Sequence, residues 1–451
     1  MSPLCRTLTL LACLAAAVPV AAQEPTTPAP APPRQEISPE IDLTGPSEPS
    51  APTAQASAAA STKAMRLTLG HEASFATQQD LDIVNNRSWF RVEYSKLLAD
   101  RFHIQFDSKL NAYWGSDHRA RAEDKSALFE FSTPEAYVQY SRPGADTSVK
   151  LGVQRLIWGE SEAGAITDEV SPRNFSELFF IPLEESRLGQ FMATVDHFSK
   201  NGDWTFFYVP VPRFNKLPEP GTEYGFDPFE GQADIQKGDR KFHELGLRWK
   251  KTVDRSDISF MAASLIDNDY VYRLDGVSGG RLAVSRLEQR FSMVGTTFNY
   301  AKQNFLFKGE VAFKSKKGFN DASLNVLERN VLDSSLGVTY ALRKSNSINV
   351  ELVNSRVHGW TDQIVGVPRN STSLVLNANL FFLNDNLSVN WLTIYNRPYT
   401  SYQSSLRTSY KWSDALTLSA DAHFIGVPDQ KSGLYRYRDE DQVFVRIQYQ
   451  F

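Results

Sequence analysis

Asp421 and His423 lie two residues apart. On an extended strand that spacing sets a carboxylate beside an imidazole on one face. Such a pair is part of a nucleophilic hydrolase site, but it needs a Ser or Cys partner, and no Ser partner is recognisable. The other histidines, His71, His103, His118, His197, His243 and His358, are scattered. His103 and His423 share a metal only if they stand on facing walls. No Walker loop, dinucleotide fingerprint, HExxH or CxxC is present. Both cysteines, Cys5 and Cys13, fall in the first 22 residues. The rest of the chain therefore has no thiolate for zinc, a disulfide or nucleophilic attack. These residues predict no enzyme, no bound metal and no cofactor.

A second spacing is more frequent. Charges recur at every other residue, as in Arg91-x-Glu93, Asp107-x-Lys109 and Lys308-x-Glu310. Alternation puts each set on one face of a strand, with apolar residues on the other. The last strand shows it best. Val443, Val445, Ile447, Tyr449 and Phe451 share one face, and Gln442, Phe444, Arg446, Gln448 and Gln450 share the other.

The same pattern runs from Arg66 to the C-terminus and predicts about 18 antiparallel strands, with 16 as the alternative count. Short turns follow every second strand, at 98–100, 141–145, 200–201, 252–255, 301–302, 344–345, 384–385 and 413–414. The intervening connections are mostly long. Tight turns at one end and long loops at the other are the plan of an outer-membrane barrel. Strands running toward the short turns finish on aromatics: Tyr94, Tyr140, Phe198, Trp249, Tyr300, Tyr340, Phe382, Trp412 and Phe451. Such rings favour a membrane–water boundary. Residues 66–451 are thus expected to form an all-β, up-and-down transmembrane barrel facing lipid. The strand 146–158 is expected to reach Trp158.

Composition agrees without deciding the matter. Hydrophobic residues make up 41% of the 451, charged residues 22%, and mean hydropathy is −0.36. Alternating strands average out as soluble, so these values do not exclude a barrel. Beyond a short stretch near residue 10, no apolar run approaches the roughly 20 residues of a spanning helix. A net charge of −4 argues against nucleic-acid binding. Residues 1–22 read as a secretory signal peptide, with Arg6 before an apolar run and Val20-Ala21-Ala22 before the cleavage point. Residues 23–65, rich in Pro and Ala, read as a disordered periplasmic linker. That linker is also the candidate contact for periplasmic export partners.

A barrel of this size leaves an aqueous channel. Its wall would be lined by Arg91, Glu93, His103, Asp107, Lys109, Glu135, Lys150 and Asp196 in the first half. Glu244, Arg248, Lys308, Glu310, Lys314, Arg343, Glu351, Arg407, Asp421, His423 and Arg446 would line the second. The mixed charge implies a weakly selective pore, or a wall that pairs with itself. Loop 159–187 carries many acids together with Phe175, Phe179 and Phe180, too apolar to be freely solvated. It is expected to fold inward as a constriction, with Trp158, Glu160, Asp168, Arg173, Phe179 and Phe180 as its key residues.

The run Leu151-Gly-Val-Gln-Arg-Leu-Ile-Trp158-Gly-Glu160, then Asp168, Ser171-Pro-Arg-Asn174, Trp204 and Val209-Pro-Val-Pro212, resembles a porin-like outer-membrane family of uncharacterised function. That family is distantly similar to alginate-export barrels. The resemblance implies passive passage of small polar or charged solutes, or export of a polymer. Asn174 stands where Asp is commoner, and the mixed wall departs from the basic lumen that a polyanion would want. Ile447, Tyr449 and Phe451 resemble the C-terminal signature recognised by the barrel-assembly machinery.

Overall fold

The computed structural model describes residues 65–78, 82–120, 128–161, 166–181, 185–225, 227, 229, 231–342 and 345–451. The expected signal peptide 1–22 with both cysteines, the linker up to residue 64, and Arg343 lie outside the described residues.

Twenty-one strands are present among the described residues. The first half of the chain holds β1 (Met65–Ala76), β2 (Ile83–Leu98), β3 (Phe102–Tyr113), β4 (Phe129–Ser141), β5 (Thr147–Gln154), β6 (Gln190–His197) and β7 (Asp203–Val209). Then come β8 (Ala233–Lys237), β9 (Glu244–Val253), β10 (Ser256–Ile266), β11 (Val271–Ser278), β12 (Arg281–Leu287), β13 (Arg290–Lys302) and β14 (Phe305–Asn320). The remainder are β15 (Val326–Ala341), β16 (Ser347–His358), β17 (Asn370–Phe382), β18 (Leu387–Arg397), β19 (Ser401–Lys411), β20 (Leu416–Gly426) and β21 (Gln442–Gln450).

Eighteen of these form one antiparallel sheet, and pairing of β1 with both β2 and β21 closes it into a barrel. Each expected strand has its counterpart in the wall. The three additions, β8, β11 and β12, form a separate small sheet within the long connections. Their short, weakly alternating segments give little periodic signal. Among the wall strands β5 falls furthest short of expectation: it ends at Gln154, and the chain then leaves the wall, so Trp158 is not on a strand.

Burial is inverted relative to a water-soluble protein. Leu336, on the outer face of β15, is 63% exposed, while the inward Glu310 of β14 is 1% exposed. Leu69, Val294, Leu352, Val445 and Ile447 are likewise exposed, whereas Glu72, Asp107, Glu351 and Asp421 are buried. An apolar belt outside and a charged interior suit a wall with lipid on one side and polar contents on the other. The hairpin turns are compact because residues such as Ala99 and Asp100, with φ of 49° and 54°, take the left-handed pair that a tight hairpin needs.

Candidate pore and its inward strap

The β5–β6 connection does not project outward. The described residues of this connection, 155–161, 166–181 and 185–189, form a strap inside the barrel, and each half of it is fixed to a different arc of wall.

The first half lies against β9–β15. Trp158 is fully buried and meets Phe207 edge-on, with ring centroids 5.2 Å apart. Gly246 on β9 makes room for it: a Cβ there would sit 2.5 Å from the Phe207 ring, 2.8 Å from Ala263 Cβ and 2.9 Å from Trp158. The Glu310 carboxylate accepts from the Glu160 and Ser161 N–H groups at 2.7 Å each, and from Thr167 N–H at 3.2 Å and Oγ1 at 2.9 Å. One buried carboxylate thus gathers both ends of segment 160–167. Lys250 reaches Glu160 at 3.2 Å, and Lys314 sits between Glu169 at 2.5 Å and Asp333 at 2.7 Å. Burial would raise the Glu169 carboxyl, but Lys314 and Lys317 outweigh it and hold it at about 2.

The second half crosses toward β1–β4 and β19–β21. Asp168, buried, accepts from Arg187 at 2.6 Å and Arg173 at 3.4 Å and braces the bend. Burial, then the neighbouring Arg187 charge, lowers the Arg173 guanidinium to about 10. Phe179 and Phe180 pack together, and Phe180 meets His423 at 5.4 Å and Tyr224 at 5.2 Å. His423 is therefore enclosed by Phe180 and Phe444 rather than set against a nucleophile. Glu177 accepts from Arg87 at 2.5 Å and Arg119 at 3.0 Å. Burial opposes its ionisation, yet the two guanidiniums hold it well below the usual carboxylate range.

These contacts form one alternating chain of charge. Lys216 pairs with Glu130, Glu130 with Arg119, Arg119 with Glu177, and Glu177 with Arg87. Arg87 then pairs with Glu72, Glu72 with Arg446, and Arg446 with Asp421 at 3.8 Å. Each buried charge thereby has a counter-charge, the condition under which charges survive away from water.

Beside a small cavity of about 40 Å³ between Phe179 and Arg407, two wider cavities border the strap. The inner one, about 540 Å³, reaches the short-turn end, where Asp385, Asp414 and Gln450 border it. The outer one, about 310 Å³, is bordered by Tyr113, Glu130 and Arg213. Arg87, Arg91, Lys109 and Glu185 border both, so these four form the neck between them.

The residues named from sequence divide into two groups. Arg91, Glu93, Lys109, Arg407, Asp421 and Arg446 border the inner cavity. Asp107 holds Arg91 through two hydrogen bonds of 2.8 Å, and Lys150 lies 3.9 Å from Asp196 near the short-turn end. Glu244, Arg248, Lys308, Glu310, Lys314 and Glu351 also face inward but are buried, and they border neither cavity. Glu244 accepts from Ile266 N–H at 2.7 Å, Arg248 donates to Ile157 O at 3.3 Å, and Glu310 and Lys314 carry the strap. Sequence reasoning missed Glu72, Arg87, Arg119 and Glu130. Extending the alternation upward from Arg91 by two steps, through Trp89, finds Arg87. Arg119 sits in a connection, where no periodicity points to it.

No family model matches the chain, and no curated protein matches it. Solved structures do. OccK8 (OprE) of Pseudomonas aeruginosa superposes with a TM-score of 0.52 at 8% identity, covering 86% of this chain and 97% of that one. OccAB1 of Acinetobacter baumannii gives 0.51 at 10% identity, covering 86% and 95%. OccAB2 of the same organism gives 0.50 at 8% identity, covering 86% and 97%. At such identities the likeness is one of fold. Eighteen antiparallel strands, an apolar belt and a charged interior crossed by a strap make this chain a closed transmembrane β-barrel of the outer-membrane porin fold.

Proposed function

We propose that the protein is an outer-membrane channel for passive passage of small polar or charged solutes. The observation that carries this reading is the neck: two polar cavities beside the strap share Arg87, Arg91, Lys109 and Glu185. Paired charges facing a narrow water-filled path can admit ions and small polar molecules without binding them tightly. The strap weighs against the alternative of polymer export, because it divides the lumen and is tied to both walls. Asp421 and His423 support no hydrolase reading, since the first faces Arg446 and the second is enclosed by aromatic rings. Ile447, Tyr449 and Phe451, all on the outer face, are the residues we assign to recognition by the barrel-assembly machinery. Residues 23–65 are the segment by which periplasmic partners would bind. Purified protein in planar bilayers should give discrete conductance steps. Silence in concentrated salt, from protein shown by circular dichroism to be folded, would overturn the proposal.

A further inference from the structure

The barrel wall has a seam. β4 pairs with β3 from Phe129 to Tyr140, but with β5 only from Ala136 to Ser141. Among the described residues, Phe129–Glu135 have no strand on their second edge. The cause is the strap: β5 stops at Gln154 to send the chain inward, and β6 resumes only at Gln190. β5, β6 and β7 have 8, 8 and 7 residues. Tilted as barrel strands are, they rise roughly 18 Å, against an apolar belt of about 25 Å. Among the described residues, the upper belt on this arc therefore has no strand ladder on the β5 side of β4.

The local sequence suits an unpaired edge. Pro134 contributes no N–H, and the register shift between Asp107 and Lys109 marks a bulge opposite it. At its lower end the seam is closed by bare backbone. A Cβ on Gly189 would sit 2.0 Å from Pro134 O, so the strap abuts β4 there without a ladder. Above that point the outer cavity reaches the edge. It is bordered by Lys109 and Arg213 on the lumen side, and by Pro134, Leu188 and the outward-facing Phe131, which is 68% exposed. An open strand edge at membrane depth is tolerated where it borders a water-filled cavity rather than lipid alone.

We propose that this seam is a lateral portal between the lumen and the outer leaflet, and that its substrate is a single-headed amphipathic anion. The anionic head is held by Arg213, which otherwise donates to Gly189 O at 2.6 Å, in a lining where seven cations outnumber Glu130, Glu177 and Glu185, while an acyl tail passes between Phe131 and Leu188 into lipid. The proposal rests on the channel reading for its aqueous side, but it gives the solute a second way out.

The test uses the full-length protein in liposomes and an undecanoate carrying a diazirine at its tail end. On illumination the label should concentrate on Phe131–Pro134 and Leu188, well above Leu336, which is comparably exposed elsewhere on the belt. The corresponding alcohol should not concentrate there. Thr133→Trp, which fills the seam, should abolish the enrichment; Phe131→Asp is a second variant should the first not fold. Label that follows exposure evenly around the belt overturns the portal, as does enrichment that survives in the variants. Equal enrichment by the alcohol overturns the anionic class. Enrichment in a protein that conducts no chloride supports the portal and counts against the axial channel instead.

Discussion

Lys109 of β3 donates from its ammonium to the carboxylate of Glu185 on the strap, and both residues border both cavities. The pair is therefore the point where wall and strap meet across the path. Removing either partner should bias the neck toward the charge that remains. Lys109→Ala should shift reversal potentials toward cations, and Glu185→Gln toward anions, each by roughly twofold in permeability ratio at low salt and less at high salt. Bilayer measurements in a potassium chloride gradient read both; unchanged selectivity in both variants would place the path elsewhere.

Glu310 should behave as the anchor of the strap. Its carboxylate takes four hydrogen bonds from residues 160, 161 and 167. Glu310→Ala leaves several buried donors unsatisfied and should cost about 3 kcal/mol, whereas Glu310→Gln keeps one acceptor and should cost about half as much. Thermal unfolding in detergent gives the ranking, and current noise in single channels should rise in the same order.

Acid should loosen the strap. Glu169, held at about 2 by its lysines despite burial, contributes stability that is complete above its unfolded value of 4.5 and lost as pH falls toward 2. Glu177 acts in the same direction. Glu440, in the connection before β21, has the opposite sign: burial, then Glu223 and Asp439, raise it to about 7. Its contribution is present below 4.5 and lost as pH rises through about 7. Protease cleavage should therefore increase within 166–181 on acidification, and within 427–441 between roughly pH 5 and 8.

Gly246→Ile should unseat Trp158. With Phe207, Ala263 and Trp158 all inside 3 Å of the new Cβ, the side chain has no place to go. A cost of about 1–3 kcal/mol is expected from overpacking, together with a loss of near-ultraviolet tryptophan circular dichroism. An unchanged spectrum would mean that Trp158 is not held where described.

The wall was legible because membrane and lumen impose a strict two-residue period, as Val445, Ile447 and Tyr449 against Arg446 and Gln448 illustrate. For the loop, aromatics such as Phe179 and Phe180 among acids suggest an inward path. Its anchoring was not legible. Glu177 meets Arg87 from 90 residues away and Arg119 from 58, and nothing in local periodicity encodes such a partnership. Nor does alternation reveal which inward charges border a cavity. Lys314 and Arg91 occupy equivalent faces of their strands, yet one carries the strap and the other borders the neck. Trp158 was misplaced because its apolar run continues the period of β5 past the point where tertiary packing draws the chain inside.

Glu72 and Arg446, bonded across β1 and β21, are 374 residues apart in the chain. The bond can form only after the final strand has arrived, so one edge of β1 stays unpaired until then. A chain truncated before β21 would lack the cation for Glu72 and leave β1 and β20 with unpaired edges. Completion of the ring thus doubles as a check on length: without β21 the wall does not close.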